Sequence, residues 1–154
     1  MLMLSLLLAG SATTFASFSV EASAVTNVSR QTVLIASSGI IVTESSFCRS
    51  IQGVDNVPLT GNLSRDQLKS LLVAVEESQF MQLPDDVSSP PFYVDEAARV
   101  IEVSIDGRHH RVMASGLDRA TSPEALCFRD LWSSLSRYLP ATDLFDCFSA
   151  AARR

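Results

Sequence analysis

Basic residues are scarce in this sequence, which has a single lysine, Lys69. Its 154 residues include 12 Lys and Arg against 17 Asp and Glu, so the formal net charge is −5 at pH 7. The arginines are scattered along the chain and form no stripe. Because proteins bind nucleic acids largely through clustered Lys and Arg, this composition excludes nucleic acid as a partner.

Motifs typical of catalysis and cofactor binding are missing as well. The six glycines form neither a phosphate-binding loop nor a dinucleotide fingerprint, and no serine lies in a Gly-x-Ser-x-Gly elbow. The two histidines, His109 and His110, are adjacent, and neighbouring strand residues point to opposite faces of a sheet. We therefore expect one to face the core or a neighbouring side chain and the other to face water. The sequence predicts no metal, no cofactor and no catalytic residue.

The first 24 residues have the composition of a signal peptide. Residues 1–10 are an apolar run, and Ala22-Ser23-Ala24 has the small-x-small form that signal peptidase accepts. We therefore expect export to the periplasm or the medium, with a mature chain that starts near Val25 and a polar lead-in over residues 25–30. No Lys or Arg precedes the apolar run, so either the leader is atypical or the chain starts further upstream. Left uncleaved, the leader would be the only contact with a membrane.

The sequence has three cysteines, Cys48, Cys127 and Cys147. In an oxidising compartment we expect two of them to pair, and the sequence alone leaves three pairings open. A Cys127–Cys147 disulfide would join the C-terminal tail to the helix before it. The alternative is that all three are buried thiols, since free cysteine packs well as a small apolar residue.

Residues 64–84 have the clearest helical pattern of the chain. Ser64 and Gln67 have the capping-box spacing, in which their side chains bind backbone N–H groups of the first turn. Pro84 cannot continue the helix. One apolar stripe follows from the three- and four-residue spacing of Leu68, Leu71, Leu72 and Val75.

Two stretches rich in β-branched residues predict strands before this helix. Residues 31–46 predict a hairpin that turns at Ser37-Ser38-Gly39. Residues 57–63 predict a further strand, and Pro58 predicts that it lies at an edge, because proline cannot donate to a ladder.

After the helix, a second hairpin and a second helix complete the pattern. Residues 99–115 alternate apolar and polar side chains around Asp106-Gly107, a strong hairpin signal. The last helix is expected to begin at Pro123 with Ser122 as its N-cap. The chain order ββ(β)αββα predicts an α+β domain over residues 31–140, followed by a tail over residues 141–154. Its antiparallel sheet should contain two hairpins, four to five strands in all, with both helices packed on one face.

The longest predicted loop covers residues 85–97 and has Ser-Ser-Pro-Pro at its centre. Its apolar residues Phe92, Tyr93 and Val94 either attach the loop to the core or present themselves to a partner, and we favour attachment. The flanking acidic residues lack the spacing of a calcium loop, so we expect them to be solvated. The surfaces most suited to an interaction are the first hairpin turn and this loop, with the candidate residues Ser38, Gly39, Pro90, Pro91, Phe92 and Tyr93.

Two segments of the sequence resemble segments of a known group of proteins. They are Gln79-Phe80-Met81-Gln82-Leu83-Pro84 and the predicted strand Asp106-Gly107-Arg108-His109-His110-Arg111-Val112. With the terminal helix, they resemble small exported bacterial α+β domains of unknown function and, more distantly, emfourin-type inhibitors of protealysin-like metallopeptidases. The resemblance covers residues 31–140 and implies peptidase inhibition, but no functional residue is carried over.

A complete fold pattern without a catalytic constellation predicts a non-enzymatic, exported binding domain with a protein partner. The alternative is a small thiol- or His-dependent enzyme of the cell envelope, a hydrolase or a redox protein, that uses Cys48 or His110.

Overall fold

A computed structural model describes residues 17–26, 29–47, 59–93 and 96–139 of the chain. The first four strands are β1 (Phe18–Val25), β2 (Ser29–Ala36), β3 (Ile40–Phe47) and β4 (Leu59–Asn62). They are followed by helix α1 (Arg65–Glu77), a 3-10 turn (Phe80–Gln82), β5 (Ala98–Ile105), β6 (Arg108–Ala114), a second 3-10 turn (Leu117–Arg119) and helix α2 (Pro123–Ser136). All six strands form one antiparallel sheet in the order β4-β3-β2-β1-β5-β6.

One face of the sheet forms the hydrophobic core. Val20 of β1 lies opposite Ile35 on β2 and Val103 on β5, and all three side chains are fully buried. Alternate residues along the same strands continue this face, because strand side chains point to opposite sides in turn. The buried side chains of both helices pack into the same core, which includes Leu71, Val75, Phe128, Leu131 and Leu135. The α+β prediction is confirmed.

Local sequence signals set the starts of both helices. Ser64 accepts a hydrogen bond from the backbone N–H of Gln67, and the Gln67 side chain accepts one from the N–H of Ser64. Ser122 caps α2 by accepting from the N–H of Ala125, with Pro123 as the first helical residue. The end of α1 was predicted wrongly: it ends at Glu77, before Pro84, because Gln79 adopts a left-handed φ of 50° and a 3-10 turn follows. Among the residues that the structure describes, no helix is both long enough and apolar enough to cross a membrane.

The central strand β1 lies where the sequence predicts a signal peptide. It pairs with β2 on one side and β5 on the other, and its Val20 and Ala22 are fully buried. Cleavage after Ala24 would therefore remove most of the middle of the sheet. A leader compatible with this sheet ends before Phe18, and the folded domain begins earlier than residue 31. The residues before Ser17, and those of the predicted tail after Leu139, lie outside the described ranges.

The predicted strand count was too low because of β1. Within the described ranges the sheet has six strands, where four to five were expected. The sequence of β1, FSVEASAV, alternates apolar and small or polar residues, but small residues are also what a peptidase site requires. The other strands were predicted correctly: β2 and β3 form the first hairpin, β5 and β6 the second, and β4 lies at an edge. Residues 48–58, including Pro58, are outside the described part of the chain.

Candidate interaction site

The chain between α1 and β5 is held along the free edge of β6. Met113 donates its N–H to the carbonyl of Asp85 at 2.8 Å, and its own carbonyl accepts from the N–H of Val87 at 2.9 Å. The N–H of Ser89 then donates to the carbonyl of Ser115 at 2.8 Å. The Val87 side chain is buried. We call residues 85–89 the strap. The strap is therefore ordered, although the sequence predicts only a loop there.

Arg119 holds the segment that follows the strap. Its Nη2 atom donates to the carbonyl of Pro91 at 2.8 Å and to both carboxylate oxygens of Glu96, at 2.8 and 3.0 Å. The side chains of Arg119 and Glu96 are 26% and 14% exposed, so the pair is sheltered from water. The hydrogen bond to Glu96 raises the pKa of the Arg119 guanidinium above its ordinary value, at which an arginine is already charged at physiological pH.

The loop between these anchors presents two aromatic rings to solvent. Phe92 and Tyr93 are 64% and 61% exposed. Tyr93 lies against the guanidinium of Arg119, whose Cζ atom is 5.0 Å from the ring centre, at cation–π distance. Pro90 and Pro91 are exposed too and are joined by a cis peptide bond. We call residues 90–93 the Pro-Pro loop. The prediction that Phe92 and Tyr93 attach the loop to the core was wrong, because both are exposed and Val87 is the residue buried in the core. Val94, named in the same prediction, lies outside the described residues.

Gly116 permits the close approach of the strap and Arg119. It adopts φ +71°, a left-handed conformation that residues with a Cβ rarely occupy. A Cβ at this position would overlap the carbonyl oxygen of Ser89 and lie 2.8 Å from Arg119 Nη2. The site therefore depends on a residue without a side chain at this corner.

The first hairpin turn, the other predicted surface, is divided between two environments. Ser38 is exposed, whereas Gly39 is buried at φ +84°. Gly39 accepts a hydrogen bond from the N–H of Leu63 at 2.7 Å, and a Cβ on it would lie 2.9 Å from the Leu63 carbonyl oxygen. Gly39 is thus a packing residue that attaches the hairpin to the start of α1, and only Ser38 remains available to a partner.

The two histidines point to opposite faces, as the sequence predicts. His110 donates its Nε2–H to the carbonyl of Leu83 at 2.8 Å and contacts Phe80 edge-on, with ring centres 5.5 Å apart. This side chain is 19% exposed and binds the exit of α1 to the sheet. His109 is 56% exposed on the other face. The described ranges contain no group of three or more His, Cys, Asp or Glu side chains that could hold a metal ion.

On the face of the sheet opposite the core, a serine, a histidine and a glutamate lie close together, the residue types of a hydrolytic triad. Ser104 Oγ lies 3.2 Å from His109 Nδ1, and His109 Nε2 lies 3.8 Å from a carboxylate oxygen of Glu102. Acyl transfer also needs N–H groups that point at the developing oxyanion. β5 has a hydrogen-bonded strand on each side, so its backbone N–H groups are committed to the sheet. Arg111 shares Glu102 at 3.0 Å, and the group is a cross-strand polar cluster.

The remaining predicted residues are separated from the Pro-Pro loop. Cys127 lies on α2 and is half-buried against the core. Cys147 and Cys48 are outside the described residues, so the disulfide stays a prediction. Asp85 and Asp86 are exposed, as expected for solvated acids, and Glu96 is bound by Arg119.

Sequence reasoning missed the residues that hold the loop. Arg119 is 28 positions from Pro91 and 23 from Glu96, and no motif links the three. The one available signal was Gly116, a glycine just before a charged pair in a short connection.

Comparison with known proteins assigns the chain to no family. A scan against models of protein families finds no match, and a search of curated proteins finds none either.

Proposed function

We propose that this protein is a non-enzymatic binding domain that contacts a protein partner through the Pro-Pro loop. One observation carries the proposal: Phe92 and Tyr93 are more than 60% exposed on a segment whose two ends are held by hydrogen bonds. A large aromatic side chain that faces water buries much apolar surface when a partner covers it. Aromatic residues are also among those that most often supply binding energy at interfaces.

The anchored ends of the loop favour binding as well. A flexible loop must lose conformational entropy when it binds, and that loss weakens the complex. Here the bonds of Ser89 and of Arg119 to Pro91 hold the backbone before the rings, and the N–H of Glu96 donates to the carbonyl of Tyr93 at 3.1 Å after them. Arg119 also restricts Tyr93 by lying against its ring. The energy of burying the rings is therefore largely available to the complex.

The proposal places the domain outside the cytoplasm, in the periplasm or the medium, because of the apolar run over residues 1–10. The resemblance to emfourin-type domains suggests one sharper form, in which the partner is a secreted metallopeptidase. In that case, titrating such a peptidase with the domain should reduce its activity to a plateau at one equivalent. Undiminished peptidase activity at excess domain would remove this form and leave the binding proposal intact.

Replacing both aromatic rings should weaken partner binding about tenfold or more, since truncated hot-spot residues commonly have effects of this size. A photoreactive phenylalanine analogue at position 92 would first crosslink and identify the partner by mass spectrometry. The affinity of the purified partner would then be measured for the full chain and for the double variant Phe92→Ala, Tyr93→Ala.

Val73→Ala is the matched control, because Val73 is an apolar residue of α1 that is 41% exposed. It should leave the affinity unchanged. Arg119→Ala keeps both rings but releases the loop, so it should also weaken binding. Equal affinities for the double variant and the unmodified chain would refute the proposal.

A further inference from the structure

A cavity of about 300 Å³ lies between the two helices, on the part of the molecule that the structure describes. The first two turns of α1 contribute Asp66, Ser70 and Leu71, and the end of α2 contributes Arg137 and Tyr138. Leu71 is only 4% exposed and belongs to the core. The volume is at the lower end of the range for small-molecule sites. Gln67 and Ser134 complete a lining that is polar apart from Leu71 and the Tyr138 ring.

Two opposite charges line this cavity without neutralising each other. Neither Asp66 nor Arg137 forms an ion pair with any of the residues described. Arg137 is nevertheless oriented, because its Nε donates to the carbonyl of Ser134 at 2.7 Å. Its guanidinium carbon also lies 5.8 Å from the ring centre of Tyr138. Among the residues that the structure describes, the two terminal nitrogens of Arg137 have no hydrogen-bond acceptor, so both can bind a ligand.

We propose that this cavity binds a small zwitterion of the free α-amino acid class. The ligand carboxylate would pair with the terminal nitrogens of Arg137, since a guanidinium matches a carboxylate with two parallel hydrogen bonds. Its ammonium group would pair with Asp66. Leu71 and the Tyr138 ring would contact an aliphatic side chain, which favours an amino acid such as leucine over a highly polar one.

The test titrates the full ¹⁵N-labelled chain with three probes while amide chemical shifts are recorded. L-leucine carries both charges, N-acetyl-L-leucine lacks the ammonium group, and L-leucinamide lacks the carboxylate. We expect saturable shifts at Ser70, Leu71 and Tyr138 with L-leucine at millimolar concentrations. The dissociation constants of the two other probes should be at least about tenfold higher, the loss expected when one charge-assisted hydrogen-bonded pair is missing.

Two variants test the same assignment from the side of the protein. Asp66→Asn should reduce the affinity for L-leucine and leave the affinity for N-acetyl-L-leucine unchanged. Arg137→Gln should also reduce the affinity for L-leucine, but here the affinity for L-leucinamide should be unchanged. Glu77→Gln, at the other end of α1, should alter neither. The proposal is overturned if L-leucine produces no saturable shift, if all three probes bind equally, or if both variants bind L-leucine like the unmodified chain.

Discussion

A chain that begins at Val25 will show no cooperative unfolding transition, whereas a chain that begins at Ala16 will unfold cooperatively. The shorter chain lacks the strand that joins the two halves of the sheet, since β1 pairs with both β2 and β5. It also loses Phe18 and Val20 from the core, where each is at most 5% exposed. Burying such side chains stabilises a domain by about 1.5–3 kcal/mol each.

Removing β1 also removes its backbone hydrogen bonds with β2 and β5, which lowers the free energy of unfolding further. Each backbone hydrogen bond contributes about 0.5–1.5 kcal/mol net, and the β2 and β5 groups that face β1 would be left without partners in the protein. Whole domains of this size are stable by only about 5–15 kcal/mol, so removing the strand takes away a large part of the total. Circular dichroism during urea unfolding measures this directly for the two chains.

The position of β1 also limits where a signal peptide can be cleaved. If the protein is secreted, sequencing the N-terminus of the exported form should return a residue before Phe18. The chain that begins at Ala16 is the control for truncation itself, because it keeps Ser17, whose carbonyl accepts from the N–H of Asp106 at 3.0 Å. Equal unfolding free energies for the two chains would show that β1 is dispensable and would restore a cleavage after Ala24.

Replacing Gly116 with alanine will destabilise the domain and release the Pro-Pro loop. A Cβ in the left-handed conformation is unfavourable by about 1–2 kcal/mol. Here it would also overlap the Ser89 carbonyl, which cannot move away without straining the hydrogen bond from Ser89 to Ser115. We therefore expect a loss of about 2–4 kcal/mol, the range typical of a residue change that combines backbone strain with overlap.

Alanine variants of two other glycines separate the effect of backbone strain from the effect of steric overlap. Gly107 has φ +79° but open space around its Cβ position, so Gly107→Ala should cost about 1–2 kcal/mol from conformation alone. Gly61 has neither a positive φ nor a neighbour within 4 Å, and Gly61→Ala should be close to neutral.

Urea unfolding ranks the three variants, and amide hydrogen exchange locates the change. In Gly116→Ala the N–H groups of Val87 and Ser89 should exchange faster, because they bond the strap to β6 and to Ser115. If Gly116→Ala were no more destabilised than Gly107→Ala and kept slow exchange in the strap, Gly116 would have no special role at this corner.

The features predicted correctly depend on residues close together in the chain. The capping box of Ser64 and Gln67 spans three positions, and the Asp106-Gly107 turn needs only the two positive φ values that it shows. The alternation of β5 follows from the geometry of a single strand. Such features can be inferred from sequence because the interactions that stabilise them are local.

The features that were missed depend on contacts between distant segments. Whether FSVEASAV is a peptidase site or a central strand depends on its pairing with β5, about 80 residues later in the chain. The Pro-Pro loop was named as a possible surface, but the sequence favoured attaching its rings to the core. The path of the strap along β6 and the anchor at Arg119 direct Phe92 and Tyr93 outward, and both arise from pairings across more than 20 residues.

By itself, the sequence determined the helix starts, the two hairpin turns and the α+β class, since propensity, capping and periodicity act within a few residues. Only the tertiary structure decided that β1 is the centre of the sheet, that Gly39 is buried while Phe92 and Tyr93 are exposed, and that Arg119 joins Pro91 to Glu96. The physical reason is that burial and long-range hydrogen bonding depend on which segments meet, and this is settled when the whole sheet assembles.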